Sequence, residues 1–141
     1  MPSGTTLSEY PRVLLVDDNT DMLNSAASVL SSGFEIVGAV KDGRTALEAA
    51  GTLRPDVIVL DISMPGMCGI EVASRLKATG SRAAVVFLTV HEDEEVVRAA
   101  RDAGGVGYVL KPRLASELRH ATLEASEGRR FISSRLCPTL W

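Results

Sequence analysis

Nothing limits the fold of this chain more than the recurrence of five short apolar segments. They are rich in valine, isoleucine and leucine and show no polar alternation, which is typical of strands covered on both faces. The predicted strands are Arg12–Val16, Glu35–Val40, Asp56–Leu60, Ala84–Leu88 and Gly107–Leu110. Their short length and β-branched residues favour strands over helices.

The segments between the strands have apolar residues at helical spacing. In the first, Leu23, Ala26 and Leu30 share one face. The predicted helices are Asp21–Ser31, Arg44–Leu53, Ile70–Ala78, Glu92–Ala103 and Ala115–Ser126, with Asn19 or Thr20 and Asp42 as candidate N-caps. Strict alternation of strands and helices predicts an α/β fold with a mostly parallel sheet and right-handed crossovers.

The composition indicates one domain and excludes several functions. A chain of 141 residues is of single-domain size, and 15 Lys and Arg against 18 Asp and Glu leave no general basic field for binding DNA. Apolar runs are too short for a membrane span, and residues 1–10 lack the features of a signal peptide, so we expect a flexible N-terminal segment there. The 2 cysteines have no metal-binding or redox spacing. Together these features favour a cytoplasmic protein.

Polar residues follow the predicted strands. They are Asp17-Asp18, Lys41-Asp42, Asp61, Thr89 and Lys111. In an open parallel sheet, ligands bind beyond the carboxyl ends of the strands, where the winding reverses. With the strand order 2-1-3-4-5, that point would bring Asp17, Asp18 and Asp61 into one pocket.

Such a pocket would need compensating positive charge. Close carboxylates repel one another and raise each other's pKa unless a cation is bound, and oxygen ligands suit Mg²⁺. Lys111 would supply a second positive charge and Thr89 a hydroxyl. We predict a phosphoryl-transfer site with Asp61, alone after the central strand, as the nucleophile.

Four motifs resemble the receiver domain of two-component response regulators. They are LLVDDN (Leu14–Asn19), VIVLDISMPGMCG (Val57–Gly69), VVFLTV (Val85–Val90) and GYVLKP (Gly107–Pro112). The resemblance covers residues 11–127, and the segments KPRLASEL and GRRFIS look most like receivers of NarL/FixJ-type transcriptional regulators. It implies a flavodoxin-like (βα)5 three-layer sandwich with a five-stranded parallel sheet in the order 2-1-3-4-5.

The resemblance also implies roles for the residues at the strand ends. Asp61 would accept a phosphoryl group from a phosphohistidine on a sensor histidine kinase or a histidine phosphotransfer protein. Asp18 would bind Mg²⁺, or Mn²⁺, directly, Asp17 mainly through water, and Ser63 through its backbone carbonyl. Lys111 would pair with the phosphoryl group.

Further residues are implied to transmit or tune the signal. Thr89 would move toward the phosphoryl group and Tyr108 would swing inward, which changes the surface of the fourth helix, fifth strand and fifth helix and offers a face for a homodimer. Ser63 and His91 would tune hydrolysis, and we expect His91 to hinder water and prolong phosphorylation. The Lys111-Pro112 bond is often cis in the family.

Several alternatives stay open at this point. The helix-turn-helix output domain of NarL/FixJ-type regulators is absent, so the chain is either a single-domain receiver or half of a larger protein, and residues 128–141 are a tail or the start of a linker. Trp141 could dock on a partner or on its own domain. A haloacid-dehalogenase-like phosphatase would need an acidic residue at the position of Ser63, and a receiver that works without phosphorylation normally lacks some of the acidic residues or the lysine.

Overall fold

The computed structural model describes residues 10–141, and the expected flexible segment lies outside them except for Tyr10. The strands are β1 (Arg12–Val16), β2 (Glu35–Val40), β3 (Val57–Leu60), β4 (Ala84–Thr89), β5 (Gly105–Leu110) and β6 (Phe131–Ile132). The α-helices are α1 (Thr20–Leu30), α2 (Gly43–Leu53), α3 (Gly69–Ala78), α4 (Glu94–Asp102) and α5 (Leu114–Ser126). Short 3₁₀ turns cover Lys111–Arg113 and Pro138–Leu140.

All strands pair in parallel in one sheet with the order β2-β1-β3-β4-β5-β6. The predicted flavodoxin-like fold and the order 2-1-3-4-5 are therefore confirmed. The structure adds β6, which the sequence analysis did not predict. Phe131 lies opposite Gly107 and Ile132 opposite Tyr108, so β6 extends the sheet beyond β5.

The core has two parts, one on each face of the sheet. Helices α2, α3 and α4 bury Ala46, Val72 and Val97 against one face. Helices α1 and α5 bury Leu23 and Leu118 against the other. Because both faces are covered, the strands consist of apolar residues without polar alternation, and the molecule has three layers.

Two of the predicted caps begin their helices. The Asn19 side chain accepts a hydrogen bond from the Met22 amide at 2.9 Å, and Asp42 accepts one from the Thr45 amide at 2.8 Å. The fourth helix starts later than predicted, at Glu94, because Asp93 has an extended backbone and occupies the N-cap position.

The expectation of a cis bond before Pro112 is wrong. No cis peptide bond occurs between residues 10 and 141, and Lys111 and Pro112 instead open a 3₁₀ turn that leads into α5. Proline suits the first turn of a helix because its missing amide hydrogen would have no helical partner there.

Among residues 10–141, no helix is long and apolar enough to cross a membrane.

Candidate functional site

The carboxyl ends of β1 and β3 bring three aspartates together. Asp17 and Asp18 follow β1, Asp61 follows β3, and one carboxylate oxygen of each lies within 4.8 Å of the others. The backbone aligns them, because the Asp61 amide donates to the Val16 carbonyl at 3.0 Å. Asp17 and Asp61 are buried, whereas Asp18 is exposed. The predicted convergence of these residues is therefore seen in the structure.

Lys111 reaches this cluster from the end of β5. Its ammonium nitrogen lies 3.0 Å from Asp17 Oδ2 and 3.4 Å from Asp61 Oδ2. One ammonium group thus faces two buried carboxylates, so the positive charge on the side chains of the cluster does not balance the negative charge. By contrast, Asp42 at the end of β2 does not join the cluster, because its carboxylate caps α2 through Thr45.

The pKa shifts follow from this arrangement. Burial is the main cause that raises the pKa of Asp61, and the nearby Asp17 charge raises it further, while Lys111 opposes both. Burial would lower the pKa of Lys111, but its close ion pair with Asp17 and the charge of Asp61 outweigh burial and raise it. Lys111 is therefore held in its charged form.

The cluster fits a divalent metal ion with oxygen ligands. Asp17 Oδ1 accepts a hydrogen bond from the Asn19 amide at 2.9 Å, but the buried Oδ2 has no well-directed hydrogen bond among the described residues, although Lys111 lies 3.0 Å away as an ion-pair partner. A buried carboxylate oxygen that accepts no hydrogen bond can still coordinate a cation. Next to two other carboxylates, it suits the preference of Mg²⁺ for hard oxygen ligands and water. Asp17, Asp18 and Asp61 are the residues able to hold it.

The residues after β4 form a second group beside the cluster. Thr89 ends β4 and is fully buried, and its hydroxyl oxygen accepts a hydrogen bond from the His91 amide at 3.3 Å. His91 Nε2 lies 2.6 Å from Ser63 Oγ, which joins this loop to the loop that follows β3. The Tyr108 hydroxyl donates to the His91 carbonyl at 2.9 Å. His91 is thus held at its amide, its carbonyl and its ring.

Tyr108 lies inside the protein. Its side chain is fully buried next to Phe87, with the ring centroids 6.2 Å apart. Burial and the charge of Asp93 raise the pKa of Tyr108, so its hydroxyl keeps the proton that it donates to His91.

Gly69 is a positioning residue that the sequence analysis did not identify. A Cβ atom at this position would lie 2.0 Å from the Asp61 carbonyl oxygen, far inside contact distance. The Gly69 amide donates to the Ile62 carbonyl at 2.8 Å and so fixes the loop that follows Asp61 to the start of α3. The sequence signal that could have identified this residue is the glycine that ends the motif VIVLDISMPGMCG, eight residues after Asp61.

A family model described as the response regulator receiver domain matches residues 13–123. The chain belongs to this family. The receiver is 33% identical over 134 residues to the nitrate/nitrite response regulator NarL of Escherichia coli K12, which covers 94% of this chain and 62% of that protein. It is 42% identical over 119 residues to the transcriptional regulatory protein PrrA of Mycobacterium tuberculosis, which covers 84% of this chain and 49% of that protein.

Solved structures agree with this assignment. The signal receiver domain of NarL from Mycobacterium tuberculosis superposes with a TM-score of 0.83 and 31% identity, over 86% of this chain and 100% of that one. A LuxR-family two-component response regulator from Aurantimonas gives a TM-score of 0.86 and 27% identity, over 91% and 93%. The receiver thus spans 62% or less of these two curated relatives and nearly all of these two solved chains.

Proposed function

We propose that this receiver accepts a phosphoryl group on Asp61 from a phosphohistidine on a sensor histidine kinase or a histidine phosphotransfer protein in the cytoplasm. The observation that carries the proposal is the arrangement of Asp17, Asp18 and Asp61 within 4.8 Å of one another, with Lys111 against two of them. Carboxylates this close together can bind a divalent cation, and the cation and Lys111 can then bind the oxygens of a phosphoryl group.

In the proposed step, an oxygen of the Asp61 carboxylate attacks phosphorus. The P–N bond to the donor imidazole breaks, the imidazole leaves with the electron pair and takes a proton from solvent, and an acyl phosphate forms on Asp61. A bound Mg²⁺ or Mn²⁺ supplies charge neutralisation for the phosphoryl oxygens. Asp17, Asp18, Asp61 and the carbonyl of Ser63 would hold that ion.

Lys111 and Thr89 would bind the product. The ammonium nitrogen of Lys111 already lies 3.4 Å from Asp61 Oδ2. Once Asp61 is phosphorylated, this ammonium group can form an ion pair with a phosphoryl oxygen instead. Thr89 is buried at the end of the neighbouring strand, and its hydroxyl can donate to the same group while Lys111 holds it. No proton transfer by either residue is required.

The lifetime of the acyl phosphate would depend on Ser63 and His91. Their side chains are joined by a contact of 2.6 Å between the loops that follow β3 and β4. A bridge at this place would restrict the approach of the water that hydrolyses the acyl phosphate. We expect His91→Ala to shorten the half-life of the phosphorylated protein, and an unchanged half-life would contradict this role.

The signal would leave through the face formed by α4, β5 and α5. Phosphorylation shifts a pre-existing equilibrium by the contacts that it adds, and Tyr108 on β5 is the residue of this face that connects to Thr89 through His91. We propose that this face binds a partner or a second copy of the receiver. Transcription would be regulated through an output domain, without direct DNA binding by the receiver itself.

The test is intact mass after incubation with acetyl phosphate and Mg²⁺. Wild type and the matched control Asp102→Asn, which changes an exposed aspartate on α4, should gain one phosphoryl group, and Asp61→Asn should gain none. Equal labelling of Asp61→Asn would refute the assignment. Failure of every form to react would favour a receiver that works without phosphorylation, and repeated turnover of a small phosphate ester would favour a phosphatase.

A further inference from the structure

Residues 129–141, here named the C-terminal segment, fold back onto the face formed by α4, β5 and α5. The segment contributes β6, and after it the Ser133 amide donates to the Tyr108 carbonyl at 2.8 Å. Leu136 and Leu140 are buried in the core on the α4 side of the sheet. The segment therefore covers the outer edge of β5 along the face that we propose for output.

A buried carboxylate anchors the start of the segment. Glu117 on α5 accepts hydrogen bonds from the Ser133 hydroxyl, from the Ser134 amide at 3.2 Å and from the Ser134 hydroxyl at 2.8 Å. Burial would raise the pKa of Glu117, but these hydrogen bonds, together with the charge of Arg113, outweigh burial and lower it. At the other end, Arg101 on α4 donates to the Leu140 carbonyl at 3.3 Å.

Trp141 ends this path against Tyr108. The two rings meet edge to face, with centroids 5.5 Å apart. The indole nitrogen of Trp141 donates to the Val106 carbonyl at 2.7 Å, and the Arg130 guanidinium lies 5.1 Å above the indole ring. Trp141 is half-exposed whereas Tyr108 is fully buried, so Trp141 forms part of the cover over Tyr108.

A continuous series of contacts joins Trp141 to the phosphorylation site. Trp141 packs on Tyr108, whose hydroxyl holds the His91 carbonyl, and the His91 amide is held by Thr89. His91 also contacts Ser63, which lies two residues after Asp61. The ring of Trp141 thus limits the movement of the residue that fixes the loop over the site.

We propose that docking of Trp141 keeps Tyr108 in its inward position and thereby holds the His91 loop in the arrangement that the phosphorylated site uses. Docking of the C-terminal segment and phosphorylation of Asp61 then stabilise each other, because coupling between two equilibria is reciprocal. Trp141 is a positioning residue in this scheme, since it acts through Tyr108. The inference rests on the proposed phosphorylation of Asp61.

The experiment measures the affinity of the Asp61 site for beryllofluoride in the presence of Mg²⁺ by calorimetry. Trp141→Ala should weaken binding about 3- to 10-fold, the range that an aromatic contact can supply. Trp141→Phe, which keeps a ring on Tyr108, should lose less. Leu123→Ala, which removes an exposed apolar side chain from α5, is the matched control and should bind like wild type.

A double-mutant cycle separates positioning from packing. Tyr108→Phe keeps the ring under Trp141 but removes the hydrogen bond to His91. In this background, Trp141→Ala should still lower the melting temperature but should change the affinity less than twofold. Normal affinity of Trp141→Ala, or an equal loss in both backgrounds, would overturn the inference. Binding of beryllofluoride to Asp61→Asn would instead show that the proposed function is wrong.

Discussion

Replacing Asp61 by asparagine should make the receiver more stable when no divalent ion is present. One carboxylate oxygen of Asp61 lies no more than 4.8 Å from one of Asp17, so at an effective dielectric constant of about 20 their charges repel by at least about 3.5 kcal/mol. Lys111 at 3.4 Å attracts Asp61 by about 5 kcal/mol on the same scale, and exposed Asp18 adds a smaller repulsion. Attraction and repulsion therefore nearly cancel, and the cost of burying the Asp61 carboxylate is left uncompensated.

Asparagine removes the charge, the repulsion and most of this desolvation cost, while Lys111 keeps Asp17 as its partner at 3.0 Å. We expect Asp61→Asn to raise the free energy of unfolding by about 1 to 2 kcal/mol. For a domain of this size, that corresponds to a rise in melting temperature of about 3 to 8 °C.

The assay is thermal and urea unfolding at low ionic strength with a chelator, and then with added Mg²⁺. Mg²⁺ should stabilise wild type more than Asp61→Asn, because the variant has lost one candidate ligand. Asp102→Asn controls for the loss of an exposed carboxylate and should stay within about 0.5 kcal/mol of wild type. A melting temperature of Asp61→Asn at or below that of wild type in chelator would refute the electrostatic reasoning.

Three further outcomes are expected. Lys111→Met should lower the free energy of unfolding by about 2 to 4 kcal/mol in chelator, since it leaves the buried carboxylates without their ammonium partner, and urea unfolding measures this. The lowered pKa of Glu117 stabilises the fold above its ordinary pKa, and this contribution is lost as the pH falls through the lowered value, so acid should shift Trp141 emission to longer wavelength more in wild type than in Glu117→Gln. Gly69→Ala should cost about 1 to 3 kcal/mol and slow phosphorylation, whereas Gly51→Ala, with open space around it in α2, should be neutral or stabilising.

Each of these outcomes has a clear opposite. Unchanged stability of Lys111→Met would mean that the carboxylates are already neutralised by protons or solvent. Parallel emission curves for wild type and Glu117→Gln would mean that Glu117 does not anchor the C-terminal segment. A normal melting temperature and normal phosphorylation of Gly69→Ala would mean that the loop after Asp61 can move to make room for a Cβ atom without losing stability or activity.

The strands could be predicted because local sequence decides them, whereas the acidic cluster could be placed only with the strand order 2-1-3-4-5 that the resemblance implies. A strand buried on both faces must be apolar along its length. Parallel strands bring their following residues to one edge, so with that order Asp17, Asp61 and Lys111 could be placed together from the sequence. The ends of elements were less certain, since β5 begins at Gly105, two residues before the predicted Gly107.

The C-terminal segment could not be predicted in the same way. Strand β6 (Phe131–Ile132) is only two residues long, which is too short to show a periodic pattern of apolar residues. Its pairing with β5 depends on contacts with residues that are distant in the sequence. The anchoring of Ser133 by Glu117 and the docking of Trp141 on Tyr108 are also long-range. Docking of Trp141 on its own domain was one of two open alternatives, and it is the one seen in the structure. The trans bond before Pro112 likewise depends on the turn that it enters.

Strand β3 lies inside the sheet, with β1 and β2 on one side and β4, β5 and β6 on the other. Asp61 follows a strand that has a paired neighbour on each side, whereas the contacts through Thr89, His91, Tyr108 and Trp141 all lie toward β4, β5 and β6. A response that follows these contacts therefore stays on the side of β4, β5 and β6, away from β2 and α2. We expect a protein that recognises the receiver in every state to bind on the side of β2 and α2, and a protein that distinguishes the states to bind on the side of β5 and β6.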